Sequence, residues 1–143
     1  PEEVFAEVDW SLLALFCGLF IIVAGVEKTP LFSELTRLAA RLKFQNAAVL
    51  SAASAGLSNL VSNVPAVLLL RPFIPHLPHV TRSWLLLAMS STLAGNLTVV
   101  GSVANLIVIH GARRAVKISF WDYFKVGAPL TIVTILIGIF WLA

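Results

Sequence analysis

Apolar residues fill four long stretches of this chain, and polar residues mark the joints between them. Residues 10–26, 46–70, 83–109 and 126–143 contain no Asp, Glu, Lys or Arg. A bilayer core needs roughly 20 apolar helical residues. Each run is near or above that length, so the pattern predicts membrane helices. Residues 10–26 form a plain transmembrane helix. Pro30 then suits the first position of a second helix. Over 31–44, Leu31, Leu35, Leu38 and Leu42 recur at spacings of three and four, while Arg37, Arg41 and Lys43 lie off that stripe. This predicts an interfacial arm helix. Residues 127–143 predict a final transmembrane helix after an interfacial stretch at 119–125.

The two middle runs are not simple spans. Ser51, Ser54, Ser58 and Ser62 give one polar stripe along 46–70, and Asn59 and Asn63 add amides. A Ser stripe also serves as packing glue between helices. Ser62-Asn63-Val64-Pro65 then interrupts the run, because proline disfavours helix at the residue before it. A second apolar arm follows and ends at Pro72, Pro75 and Pro78. Residues 46–74 therefore predict a re-entrant hairpin with its tip near Asn63. Residues 83–112 predict a broken transmembrane helix. Its first arm ends near Ala94, the string Gly95-Asn96-Leu97-Thr98-Val99-Val100-Gly101-Ser102 breaks it, and a second arm resumes at Val103 with Ser102 as N-cap.

Composition agrees with the pattern. Hydrophobic residues make up 59% of the 143 positions and charged residues 12%, against about a quarter charged in ordinary globular domains. Trp10, Trp84, Trp121, Tyr123 and Trp141 lie near run ends, where aromatic belts form. The fold class is an all-α membrane protein. Acidic residues, not basic ones, precede the first run, so it is not a signal peptide. The chain starts at Pro1 and is read as a piece of a longer protein. The net charge of +3 comes from loop residues, so nucleic acid is not an expected partner. Cys17, the single cysteine, is expected to pack within its span.

Helix breaks at membrane depth survive only where protein buries them or where they line a cavity. Transporters place binding sites at paired broken segments. The first interruption offers Ser58, Ser62, Asn63 and the carbonyls around Val61. The second offers Asn96, Thr98, Gly101, Ser102 and Asn105. Neutral oxygens of this kind suit a hard cation such as sodium, and glycine at 101 permits unusual backbone angles and close approach. No carboxylate lies in either element, so neither holds a proton-relay carboxylate. His76, His79 and His110 are expected on exposed loops or helix ends. No catalytic group, zinc spacing or phosphate loop is present, and the chain is not expected to be an enzyme.

The strings Ser62-Asn63-Val64-Pro65-Ala66 and Gly95-Asn96-Leu97-Thr98-Val99-Val100-Gly101-Ser102-Val103-Ala104-Asn105 resemble the ion transporter superfamily. That group holds citrate carriers, arsenite permeases, dicarboxylate symporters and sodium/proton antiporters. The order of elements over 1–143 is similar to the C-terminal inverted repeat of such a transporter. The resemblance implies a missing N-terminal repeat as partner and a possible homodimer. It implies a small-anion site at Ser62, Asn63, Val64, Asn96, Thr98, Ser102 and Asn105, and an ion site at Ser58, the Val61 carbonyl, Asn63 and Gly101. No cofactor is implied beyond sodium as coupling ion. Val64 stands where dicarboxylate carriers have Thr, and Val103-Ala104 stands where they have prolines. The string looks closer to arsenite or general anion permeases.

The expected function is secondary transport of a small anion by alternating access, in a bacterial inner membrane. A sodium/proton antiporter of the same superfamily is one alternative, and a membrane subunit that only packs against partners is another. Family topology places Arg113, Arg114, Lys117 and Lys125 inside, yet Lys28, Arg37, Arg41, Lys43, Arg71 and Arg82 lie on the other side. The positive-inside rule opposes that orientation.

Overall fold

A computed structural model describes residues 10–39, 41–112 and 116–142, and every described secondary element is helical. The charges at Arg113 and Arg114 lie outside these residues. The chain divides into two compact units, 1–38 and 39–143.

The first unit holds α1 (Trp10–Glu27) and the start of α2 (Pro30–Ala39). Cys17 is exposed on α1. The Thr29 hydroxyl donates to the Val26 carbonyl at 2.7 Å, closing α1, and α2 begins at Pro30. Proline fits there because its missing N–H would have no helical partner. The arm helix is shorter than the 31–44 expected. Residues 41–46 are turns, with the Phe44 and Asn46 amides donating to the Leu42 and Lys43 carbonyls at 2.9 Å. The turn sets Asn46 as the cap of the next helix. Its Oδ1 accepts from the Ala48 amide at 2.9 Å and the Val49 amide at 3.4 Å, satisfying donors that a helix start otherwise strands.

The second unit is built on α3 (Ala47–Val61), α4 (Asn63–Leu70), a 3-10 segment (Arg71–His76), α5 (Val80–Leu93), α6 (Val103–Ala112) and α7 (Phe120–Leu142). The serine stripe faces inward, since Ser51, Ser54 and Ser58 of α3 and Ser83, Ser90 and Ser91 of α5 are buried. Small side chains let the two backbones approach closely. The Ser54 hydroxyl donates across to the Leu87 carbonyl at 3.4 Å, and the Ser90 hydroxyl donates to its own helix at Leu86, 2.6 Å away. Beneath this seam, Phe44, Leu50, Leu70, Ile74, Leu86 and Leu87 form the apolar core, with Ile139 and Leu142 of α7 packed on it.

Pro65 stands third in α4, and the helix already holds Val64, the residue before it. The first turn has no amide to lose there. Pro72 and Pro75 sit within the 3-10 segment that ends the arm. The last helix begins at Phe120 rather than 127, continuous with the expected interfacial stretch. A reciprocal cap starts it. The Ser119 hydroxyl donates to Asp122 Oδ2 at 2.6 Å, while the Asp122 amide donates to Ser119 Oγ at 3.2 Å. Among the described residues α7 is the one helix apolar and long enough to cross a membrane, with 23 residues and mean hydropathy 1.9. It spans about 34 Å. It runs antiparallel to α5, because Gly138 lies against Met89 and Gly127 lies against the carbonyls of Asn96 and Leu97.

Candidate functional site: two helix interruptions fastened together

The first interruption is a single residue. Ser62 separates α3 from α4 at φ 76° and ψ 163°, backbone space that is essentially reserved for glycine. It is the only described non-glycine residue with positive φ. Ser62 and Val64 are exposed at this corner, Val61 is 37% exposed, and Asn63 is half-buried. The second interruption is longer. The α-helix ends at Leu93, 3-10 turns occupy Ala94–Asn96 and Val99–Gly101, and Ser102 is extended before α6 begins. The Ser102 carbonyl accepts from the Asn105 and Leu106 amides at 3.1 and 3.3 Å, starting the second arm.

A broken helix frees backbone carbonyls, and two asparagines take them. Asn59 Nδ2 donates to the Ala94 carbonyl at 2.8 Å and to the Ala55 carbonyl at 3.1 Å. Its Oδ1 accepts from the Thr98 hydroxyl at 3.1 Å. Asn105 Nδ2 donates to the Gly95 carbonyl at 2.8 Å and to the Thr98 carbonyl at 3.4 Å. Every bond of Asn59 except that to Ala55 joins α3 to the break. The two interruptions are thus one structure.

Glycine is required at 101 by space, not by its backbone angle, since no described glycine has positive φ. A β-carbon on Gly101 would lie 2.8 Å from Asn59 Oδ1, 3.0 Å from the Gly95 carbonyl oxygen and 3.2 Å from Thr98 Oγ1. A β-carbon on Gly95 would lie 3.4 Å from the Gly101 carbonyl oxygen and 3.9 Å from Asn63 Nδ2. Asn63 of the corner therefore lies beside the break. Two buried oxygens on this side, Ser58 Oγ and Asn63 Oδ1, have no hydrogen-bond partner. Buried polar groups are normally paired; Ser51 Oγ and Thr131 Oγ1 are also buried without a partner.

The structure brings together Asn63, Thr98, Gly101, Ser102 and Asn105; Ser58 is buried on α3, next to Asn59 in sequence. The structure does not bring Asn96 to this group. Asn96 lines a separate cavity of about 300 Å³ with Asp122, Tyr123 and Gly127. Its carbonyl meets Gly127 because α7 presses on the outer side of the break. Asn105 bonds within the break itself, while the Thr98 hydroxyl bonds Asn59 of α3. Asn59 is the residue that sequence reasoning passed over as a site member. Its place one turn before the predicted interruption, next to Ser58 on the serine stripe, was the available signal. His76, His79 and His110 are exposed.

Among the described residues every element is helical, and a membrane-length apolar helix with paired, polar helix interruptions fits the class of integral membrane proteins. The citrate transporter family profile matches residues 1–94, and the chain belongs to that family. Over 96% of its length it is 42% identical to the silicon efflux transporter of Oryza sativa subsp. japonica, covering 31% of that protein. It is 39% identical to a transporter of Dictyostelium discoideum named arsB, over 96% of this chain and 26% of that one. It is 34% identical to an uncharacterized transporter of Mycobacterium tuberculosis, over 99% of this chain and 36% of that one. The chain thus spans between 26% and 36% of these relatives. No solved structure matches it. Family and relatives are transporters, not enzymes.

Proposed function

We propose that the chain is the C-terminal repeat of a secondary transporter that moves a small oxyanion or hydroxylated oxyacid by alternating access, coupled to sodium. The observation that carries this reading is the fastening of the two interruptions through Asn59, with Ser58 Oγ and Asn63 Oδ1 left unpartnered beside it. In this reading 46–74 is a re-entrant hairpin and 83–112 a broken transmembrane helix. A breach of helix geometry at that depth is tolerated where it lines a cavity. Ser58, Asn63, the Val61 carbonyl and the Gly101 backbone serve the cation. Ser62, Asn63, Val64 and Ser102 face the substrate. The N-termini of α4 and α6 supply positive dipole ends for it. Thr98 and Asn105 hold the break in shape.

The substrate class follows from charge. Residues 44–70 and 83–112 contain no Lys or Arg. A tricarboxylate carries several charges that this half leaves without cationic partners. A small hydroxylated species needs the hydroxyls, amides and helix ends present here. The relative named for silicon efflux and the resemblance to arsenite permeases favour the same class. The N-terminal repeat would complete the site, and a homodimer is the expected assembly.

The test uses the full-length parent in proteoliposomes, offered arsenite, silicic acid, sulfate, succinate and citrate with and without a sodium gradient. Sodium-dependent flux of an oxyacid, lost in Asn63→Ala, is the expected result. Citrate flux alone would overturn the substrate class. Sodium-driven proton movement without solute flux would transfer the assignment to an antiporter.

A further inference from the structure

The second unit is short of acid at both ends, since Lys117 and Lys125 flank its single carboxylate. Asp122 is the sole Asp or Glu in residues 39–143, and it lies in the first turn of α7. The other end of α7 packs, through Ile139 and Leu142, on the core that contains Phe44, Leu70 and Ile74. A helix of about 34 Å separates the two ends. The loops at the far end, 41–46 and 71–79, contain Arg41, Lys43, Arg71, His76 and His79, and α5 begins beside them with Arg82. None of these basic side chains meets a carboxylate of its own unit. Arg82 is partly buried, and its Nε has no hydrogen-bond partner. A guanidinium stays charged under all ordinary conditions, so its counter-ion must come from elsewhere.

A cavity of about 600 Å³ opens at this end. Leu42, Phe44, Phe73 and Leu77 form an apolar wall, and Lys43, Gln45 and His76 form a polar rim. Phe44 and Phe73 brace the wall edge to face, with centroids 5.6 Å apart. Phe44 and Gln45 also wall a recess of about 20 Å³ shared with His79 and Arg82. The depth in the membrane is marked by α7. Trp141, 85% exposed, stands at its end, and exposed tryptophan at a helix end sits at headgroup level.

We propose that this cavity seats an anionic phospholipid. Its phosphate lies on Lys43, Gln45 and His76, with Arg82 behind them, and an acyl chain follows Leu42, Phe73 and Leu77. Apolar wall and cationic rim match the two halves of that molecule, and basic recesses at the ends of membrane helices recognise such headgroups. The lipid supplies the anion that the unit lacks. The assignment stands apart from the transport site, which lies at the other end of α3 and α5.

The test uses the purified full-length parent in nanodiscs of phosphatidylcholine with one-tenth phosphatidylglycerol, and reads the lipid retained on the protein by mass spectrometry. Phosphatidylglycerol should be enriched several-fold over the bulk. One basic side chain at an anionic surface strengthens binding about fivefold, so Lys43→Gln should lose about fivefold, Lys43→Arg little, and Lys43→Gln with Arg82→Gln most of the enrichment. Lys43 is exposed, so its variant tests the idea even if Arg82→Gln misfolds. No enrichment in the wild type, or equal enrichment in wild type and Lys43→Gln, overturns the proposal. If inorganic phosphate in pure phosphatidylcholine raises the melting temperature as much as phosphatidylglycerol does, the occupant is a free anion and the lipid assignment fails.

Discussion

Gly101 and Asn59 should be energetically coupled, and the coupling can be worked from the contacts. In Gly101→Ala the new methyl group would meet Asn59 Oδ1 at 2.8 Å and the Gly95 carbonyl oxygen at 3.0 Å. Something must move. The Asn59 amide is the mobile candidate, but it is held by the Ala94 carbonyl at 2.8 Å and by the Thr98 hydroxyl at 3.1 Å. Moving it sacrifices bonds of about 1 kcal/mol each, on top of the usual overpacking cost of about 1–3 kcal/mol. The single change should therefore cost about 3 kcal/mol. Asn59→Ala removes the same bonds and should cost about 2–3 kcal/mol.

The double variant is the informative one. With the Asn59 side chain gone, the closest of the three contacts disappears, and Thr98 is free to turn away. Only the 3.0 Å approach to the Gly95 oxygen remains rigid. Gly101→Ala should then cost about 1 kcal/mol, leaving a coupling of about 2 kcal/mol, within the range for residues in direct contact. Thermal unfolding of the full-length protein in detergent measures this. The melting-temperature drop of the double variant should fall well short of the sum of the single drops. Additive drops would refute the argument that Asn59 is what glycine at 101 makes room for.

Two further outcomes follow from local geometry. Ser62→Gly relieves backbone strain of about 1–3 kcal/mol at the corner with φ 76°, so the melting temperature should rise while oxyacid uptake falls with the lost hydroxyl. A lower melting temperature would show that the corner is unstrained. Gly127→Val drives side-chain atoms into the Asn96 carbonyl and should cost about 3 kcal/mol or more, read as a lower melting temperature, whereas Val126→Leu at the neighbouring exposed position should leave it within about 0.5 kcal/mol of the wild type.

Most element positions were legible because proline and glycine act locally. Pro30 opens α2 and Pro65 sits in the first turn of α4, each for reasons fixed within a few residues of chain. The serine stripe also announced a buried face, and Ser51, Ser54 and Ser58 are buried. The misses share a different cause. The arm helix ends at Ala39 because Asn46, seven residues on, needs a turn ahead of it to cap α3. The role of Asn59 depends on carbonyls 35 residues away in sequence, and Asn96 turns outward because α7 occupies the other side. Periodicity reports which face of a helix is buried. It does not report which neighbour that face meets, so partners across elements stayed invisible.

The hydroxyls of the second unit bear on the proposal that the corner is a binding place rather than packing alone. A serine buried in a helix normally turns its hydroxyl onto its own carbonyls. Ser90 donates to Leu86 and Ser91 donates to Ala88, at 2.6 and 3.1 Å. Ser54 reaches the Leu87 carbonyl on the facing helix. Ser58, one turn further toward the corner, makes no such bond although it is 1% exposed. Ser51, two turns back on the same buried face, is unpaired as well, so it is the position of Ser58 one residue before Asn59, not the missing bond alone, that sets it apart. The same asymmetry holds for the amides, since Asn59 and Asn105 are engaged at Nδ2 while Asn63 leaves its buried Oδ1 empty. The break consumes donors and spares oxygen acceptors beside the corner. Unpaired, desolvated oxygens are the ligand type that a hard cation takes, in keeping with the sodium site proposed above. Replacing Ser58 by Ala should therefore weaken sodium dependence more than it weakens folding. Equal loss of both would return Ser58 to the packing seam.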